Sequence, residues 1–276
     1  MNANPIVKWA GGKRQLMDKL LELMPKEYNN YYEPFIGGGA LLFALMPKNA
    51  TINDVNQDLL AIYKCLSGER LCKSMIKELK IHEKNHSEEY YYQMRELDRE
   101  EDFDKISKPK RAARAIYLNK TCFNGLYRVN SNGYFNVPSA KKESVNTFDR
   151  ENIKLLHEYF LSGSVTIKSG DFKKAVSAAQ KGDFVYFDPP YDSFDDKETF
   201  TAYTKFDFSR DDQRRLAEVF RDLTNRGVKV MLSNHNTSLI RELYEAFNIN
   251  VVDVKRMINS KGNERGPVEE VIITNY

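Results

Sequence analysis

The sequence predicts an α/β fold with a mainly parallel sheet, and three observations carry that expectation. Short aromatic and β-branched runs such as Phe184-Val185-Tyr186-Phe187 alternate with segments whose apolar residues recur every three or four positions. Several runs end on an acid: Asp54, Asp171 and Asp188 each close or follow one. Glycine turns at Gly11-Gly12 and Gly37-Gly38-Gly39 separate a strand-like run from a helical one, as in open sheets that bind ligands at their carboxyl edge.

The chain begins with Ile6-Val7-Lys8-Trp9, an apolar, strand-like run that breaks at Ala10-Gly11-Gly12. Lys13 then leads into an amphipathic helix carrying Leu16, Leu20 and Leu23, which Pro25 ends. Trp9 and Lys13 flank this loop with an apolar plane and a cation. Tyr31 to Ile36 reads as the next strand, Gly37 to Gly39 as a turn that lets a ligand approach the backbone, and Ala40 to Leu45 as a helix closed by Pro47. Thr51-Ile52-Asn53-Asp54 is a further strand. Its terminal acid stands about 20 residues beyond the preceding strand, where a dinucleotide fold places its ribose-binding carboxylate.

From Asn56 to about Leu118 the pattern is helical, with Leu59, Ile62, Leu66, Leu71, Met75 and Leu79 as core stripes. Glu96 to Asp104 is charged and expected to face solvent. Lys108, Lys110, Arg111 and Arg114 form the densest basic cluster, read as a phosphate-facing patch. Asn119 to Asn130 and Tyr134 to Pro138 flank Ser131-Asn132-Gly133, a strong hairpin signal. A two-stranded ribbon fits the major groove, and an Arg near its tip, Arg128, can hold guanine O6 and N7 with its fork.

A helix near Asn152 to Leu161 precedes the strand Val165 to Lys168 and then Gly170-Asp171-Phe172. There Asp171 can accept from the adenine amine of a cofactor, with Phe172 stacked beside it. Ser209 and Asp212 predict a capping box for a helix running to Arg226, with Gly227 past its end. Val228 to Leu232, Asn250 to Val254 and Val268 to Thr274 predict the remaining strands, and Asn259 to Pro267 a basic loop.

The stretch with the most chemical content is Asp188-Pro189-Pro190-Tyr191. Two successive prolines cannot continue a ladder, so these residues leave the sheet at its carboxyl edge. An ionised Asp is purely an acceptor, and Pro offers a carbonyl without a competing donor. The Asp188 carboxylate and the Pro189 carbonyl can draw the hydrogens of an exocyclic amine out of the ring plane and localise its lone pair, while Tyr191 stacks on the base. That arrangement suits amine methylation.

Composition sets the bounds. At 276 residues the chain suffices for one α/β domain and a smaller insertion, and a formal charge of +3 permits nucleic acid binding without arguing for it. Cys65, Cys72 and Cys122 show no metal-ligand clustering with the four histidines and read as reduced thiols, so no metal is expected. No signal-peptide core and no apolar run of membrane-spanning length appears, so a soluble, cytoplasmic protein with no membrane partner is expected.

In this order, Lys8-Trp9-Ala10-Gly11-Gly12-Lys13, Glu33-Pro34-Phe35-Ile36-Gly37-Gly38-Gly39, Asp54, Gly170-Asp171-Phe172 and Asp188-Pro189-Pro190-Tyr191 resemble the Dam-like DNA adenine-N6 methyltransferases (D12 class, alpha group) over nearly the whole chain. Asn124-Gly125-Leu126-Tyr127-Arg128 and Phe135-Asn136-Val137-Pro138 look like that family's target-reading hairpin, although Ser139-Ala140 follow where Phe-Gly is common. The resemblance implies a Rossmann-like S-adenosylmethionine-dependent sheet with helices on both faces. The catalytic domain would comprise 1–58 and 162–276, and 59–161 would be an inserted, mainly helical target-recognition domain with a β-hairpin. It implies S-adenosylmethionine bound by Trp9, Gly11, Gly12, Lys13, Phe35, Gly37, Gly39, Asp54, Asp171, Phe172 and Asp188, and turned over to S-adenosylhomocysteine. Asp188, Pro189, Pro190 and Tyr191 would be the catalytic set. GATC in double-stranded DNA would be the target, with base flipping and Lys8, Phe123, Asn124, Leu126, Arg128, Asn136 and Pro138 against it. A monomer is expected, paired in function but not physically with a cognate restriction endonuclease. Cytosine-N4 methylation, a nicotinamide-dependent oxidoreductase and a non-catalytic DNA-binding module are the alternatives.

Overall fold

The computed structural model describes residues 3–9, 13, 15–162, 164–194, 208–255 and 267–276. Among these, seven strands form one sheet: β1 (Tyr31–Glu33), β2 (Ala50–Asp54), β3 (Val165–Ser169), β4 (Phe184–Phe187), β5 (Lys229–His235), β6 (Asn248–Lys255) and β7 (Pro267–Thr274). Their spatial order is β3-β2-β1-β4-β5-β7-β6. The ladders joining β3, β2, β1, β4 and β5 are parallel, and β7 runs antiparallel to both β5 and β6. The mainly parallel expectation therefore holds.

Helices cover both faces. The first group is α1 (Met17–Leu23), α2 (Ala40–Leu45), α3 (Gln57–Leu66), α4 (Glu69–Lys84), α5 (Glu88–Glu96), α6 (Lys108–Thr121) and α7 (Arg150–Leu161); α8 (Phe172–Ala175), α9 (Arg210–Asn225) and α10 (Ser238–Leu243) follow. The period-two alternation of β4 divides the core. Phe184 and Tyr186 pack into a cluster with Leu20, Leu42, Leu60 and Ile116, whereas Val185 and Phe187 point into a second one with Leu216, Phe220 and Ile240. The predicted capping box at Ser209 and Asp212 starts α9.

The hairpin is antiparallel but is not a continuous ribbon. Isolated bridges join Val129 to Phe135 and Cys122 to Ser139, and the Asn130 carboxamide accepts from the amides of Asn132 and Tyr134 to shape the turn. Its base rests on a small separate core of Tyr91, Tyr117, Leu118, Cys122, Phe135 and Val137.

Two expectations are corrected. Ile6 to Trp9 is not a strand, because its backbone polar groups are satisfied elsewhere. The Lys8 amide donates to Asn119 Oδ1 at 2.8 Å, and Asn119 Nδ2 donates back to the Lys8 carbonyl at 2.8 Å. The basic cluster is not a phosphate patch either. Arg114 is 2 % exposed, pairs with Asp98 at 3.0 Å and Asp58 at 3.6 Å, and donates to the carbonyls of Met94 and Arg95. Arg111 reaches Asp58 at 2.5 Å, which leaves Lys108 and Lys110 exposed on that helix.

Candidate active site

Four of the five parallel strands bring an acid to the same edge of the sheet. Glu33 closes β1, Asp54 closes β2, Asp171 stands just past β3 and Asp188 just past β4. Their environments differ, and the differences assign them different tasks.

Asp188 is the most elaborately held. Lys13 Nζ lies 2.7 Å from its Oδ1, and Ser233 Oγ donates to the same oxygen at 3.1 Å. Ser233 Oγ in turn meets the Tyr186 hydroxyl at 2.9 Å. Lys13 is itself buried; it donates to the Tyr191 hydroxyl at 2.7 Å and stands 4.4 Å from that ring's centre. Burial raises the Asp188 carboxyl above its ordinary range, and Lys13 opposes the rise. Asp188, Lys13 and Tyr191, singled out in the sequence, are thus brought together.

Beside them stand acids that motif reading passed over. Glu33 is 3 % exposed and accepts from the Tyr31 hydroxyl at 2.7 Å; burial pushes it up to about 8, with the Asp188 charge adding to the rise. Glu270, opposite His235 in the antiparallel ladder, is also raised by burial, and its Oε2 is enclosed without a hydrogen-bond partner among the described residues.

At the neighbouring strand end, Asp54 Oδ2 accepts from the Gly37 amide at 3.0 Å and Oδ1 from the Asn56 amide at 2.9 Å. Gly37 has φ +47, and a Cβ there would fall 2.9 Å from Trp9 Cδ1. The glycine therefore admits the indole, which continues into a stack with Tyr127 at 4.7 Å. Asn53 also escaped sequence reading: its Nδ2 donates to the carbonyls of Pro34 at 3.0 Å and Gly170 at 2.9 Å, tying three strand ends together. Gly39, at φ +73, caps α2.

Asp171 and Phe172 stand together just past β3. Asp171 caps α8 through the amides of Lys173 and Lys174, and its Oδ2 lies 2.6 Å from Arg215 Nη1, so an adenine amine would share an engaged carboxylate. The Phe172 ring is buried, 5.4 Å from Phe35 and 5.9 Å from Phe208, with the Arg215 guanidinium 4.4 Å from its centre. Phe35 remains half-buried at the edge. Gly11 and Gly12 lie outside the described residues.

The predicted base-reading residues occupy the exposed arm. Lys8, Phe123, Asn124, Arg128 and Pro138 are exposed, while Leu126 and Asn136 are half-buried. Arg128 Nε donates to Asn136 Oδ1 at 2.7 Å, which orients the guanidinium. A Cβ on Gly125, at φ +67, would fall 2.7 Å from Lys8 Cδ, so this glycine lets the lysine lie across the arm. The histidines have hydrogen-bonding duties: His82 with the Tyr90 hydroxyl, His86 with that of Tyr117, His157 with the Leu66 carbonyl and His235 with that of Asp192. Among the described residues no group of three His, Cys, Asp or Glu is placed to hold a metal ion, and no helix is long and apolar enough to cross a membrane.

The strand order, with the reversed β7 between β5 and β6 and ligand-competent acids at the carboxyl edge, is that of a Rossmann-like methyltransferase. Comparison with known proteins narrows the class. Residues 9–258 match the family model for D12 class N6 adenine-specific DNA methyltransferase. The chain is 46% identical over 276 residues to Type II methyltransferase M1.LlaDCHI of Lactococcus lactis subsp. cremoris, covering 100% of this chain and 96% of that one. It is 42% identical over 296 residues to Type II methyltransferase M.MjaIII of Methanocaldococcus jannaschii, covering 100% of both. It is 33% identical over 270 residues to DNA adenine methylase of Escherichia coli (strain K12), covering 96% of this chain and 93% of that one. The chain belongs to the D12 class of adenine-specific DNA methyltransferases, whose methyl donor is S-adenosylmethionine.

Proposed function

We propose that the enzyme methylates adenine N6 at GATC in duplex DNA, that it flips the target base into the cleft beside Asp188, and that Asp188 through Tyr191 handle the amine there. The observation that carries this reading is the meeting of Asp188, Lys13 and Tyr191 at one strand end, next to the Gly37 and Asp54 turn. The donor set suits S-adenosylmethionine. The Asp188 carboxylate favours a cationic sulfonium, the raised Glu33 and Glu270 carboxyls add acceptor oxygens, and Asp54 retains lone pairs for ribose hydroxyls. Trp9, Lys13, Phe35, Gly37, Gly39, Asp54 and Asp188 would hold that molecule, with Asp171 and Phe172 shaping the adenine end. When bound it supplies a methyl group already activated by positive charge.

The protein's own part is placement. A base inside a duplex hides its amine, so flipping costs about a few kcal/mol, which groove contacts and stacking on Tyr191 offset. The Asp188 carboxylate and the Pro189 carbonyl accept the two amine hydrogens and aim the nitrogen lone pair, and in-line alignment then supplies much of the rate. Asp188, raised by burial yet balanced by Lys13, takes up the amine proton as the new bond completes. Lys8, Phe123, Asn124, Leu126, Arg128, Asn136 and Pro138 would read the site. GATC rests on the likeness of this arm to the family's target-reading hairpin. In this reading 59–161 is the recognition insertion between the catalytic segments 1–58 and 162–276. The enzyme acts as a monomer, and because two relatives are named type II methyltransferases, it protects sites from a cognate endonuclease it does not bind.

The test is incubation of the purified protein with labelled S-adenosylmethionine and duplexes that differ in one tetranucleotide. Label confined to GATC duplexes supports the target; equal labelling of all, or of a different tetranucleotide, removes it.

A further inference from the structure

The loop that follows β4 is gripped on both sides of Tyr191 by a chain of carboxamides. Gln213, 1 % exposed on α9, donates from Nε2 to the Pro190 carbonyl at 2.8 Å. Asn234, 0 % exposed at the end of β5, donates from Nδ2 to Gln213 Oε1 at 3.1 Å. Its own Oδ1 accepts from the amides of Asp192 and His235, each at 2.9 Å. Backbone chemistry fixes the direction of every link. Two N–H groups demand the Asn234 oxygen, so its amino group must face Gln213, and the Gln213 amino group must then face Pro190, which has only a carbonyl to offer.

Two further contacts hold the far side: Thr237 Oγ1 donates to Asp192 Oδ2 at 2.6 Å, and His235 Nδ1 meets the Asp192 carbonyl at 2.7 Å. The Tyr191 backbone is therefore suspended between two anchored neighbours, while its ring, 5.0 Å from that of His235, stays half-buried beside Lys13. Pro190 has no N–H to donate, so its carbonyl is its one backbone anchor, and the Gln213 amide occupies it. The same bond engages Pro190's carbonyl inside the fold, away from the role the Pro189 carbonyl has toward the target amine.

We propose that Gln213 and Asn234 act as a positioning pair for methyl transfer, setting the place of Tyr191 and the Pro189 carbonyl relative to Asp188 without touching substrate. The inference rests on the reading of Asp188 through Tyr191 as the amine-handling loop. An amide pair that merely filled the core would affect folding; one that positions the loop affects the chemical step, where a displacement of about 1 Å can cost up to roughly a hundredfold in rate.

The experiment is single-turnover methylation per active molecule by wild type, Gln213→Met and Gln213→Glu, with equilibrium binding of S-adenosylmethionine and of a substrate duplex measured alongside. Gln213→Met keeps the length and loses both hydrogen bonds. Gln213→Glu keeps the acceptor for Asn234, loses the donor to Pro190 once its carboxyl is ionised, and, assayed across rising pH beside wild type, serves if the first variant does not fold. The expected result is a rate constant lower by roughly tenfold or more, both binding constants within about twofold of wild type, and a combined loss smaller than the sum of the single losses when Asn234→Ala is added, since the two hold one loop. Near-wild-type rate constants in both variants overturn the proposal, as does a rate loss matched by an equal loss of S-adenosylmethionine or duplex binding. A wild type that transfers no methyl group to any DNA defeats the functional reading instead. Hydrogen exchange of the Asp192 amide then judges the clamp by itself: slow in wild type and fast in Gln213→Met sustains it, and equal rates refute it.

Discussion

Replacing Glu33 by Gln tests the electrostatic reading of the cleft through stability. The Glu33 carboxyl stands at about 8 in the folded protein against 4.5 ordinarily, chiefly because it is buried. The folded state thus binds this proton more tightly than the unfolded chain. Stability from this group is complete below about pH 4.5 and is lost as pH climbs toward 8, since keeping the fold then requires either an uncommon proton or a buried charge. At about 1.36 kcal/mol per unit, the loss between pH 5 and pH 8 comes to roughly 3 kcal/mol. For a chain of this size that corresponds to a fall in Tm of about 5 °C. Gln preserves length and can still accept from the Tyr31 hydroxyl, so Glu33→Gln removes the titration without removing the contact. Thermal melts of both proteins at intervals from pH 5 to pH 8 are the assay. The variant's curve should be flatter than that of wild type by this amount, with Asp54, Asp188 and Glu270 contributing equally to both. Two parallel curves would mean that Glu33 is ionised in the fold, and the account of the cleft would be wrong.

Three other outcomes are expected. Arg128→Ala should relax sequence choice, losing about 1 to 3 kcal/mol of discrimination at one base pair in a substrate panel; an unchanged preference would remove Arg128 from the reading set. Arg114→Met should destabilise the protein by about 3–5 kcal/mol in denaturant unfolding, because Asp98 loses its guanidinium partner inside the fold. Arg111→Ala should leave the slope of log Kd for duplex against log salt unaltered, since Arg111 faces Asp58 and not phosphate; a slope shallower by about one would restore the phosphate patch.

What the sequence made legible was mostly local. The strand ends at Asp54 and Asp188 were readable because a β-branched run followed by an acid and a turn is contiguous, and the capping box at Ser209 is written within four residues. Features settled by distant partners were not. Ile6 to Trp9 has strand composition, yet Asn119 takes its backbone bonds from across the fold. Arg114 looks like any helical arginine until Asp58 and Asp98 close on it. Glu33 sat in plain view within Glu33-Pro34-Phe35, but its significance comes from burial beside Asp188, which sequence does not report. Ser233, Asn234 and Gln213 went unread for the same reason. The available signal was a polar Ser233-Asn234-His235 tail on the apolar run Val230 to Leu232, an unusual way to end a central strand.

The most direct check of the central claim is nucleoside analysis of duplex DNA after incubation with S-adenosylmethionine and either wild type or Asp188→Ala. Wild type should yield N6-methyladenine, and Asp188→Ala none, while folding and duplex binding persist. N4-methylcytosine from the wild type, or near-normal turnover without the Asp188 carboxylate, would contradict the account.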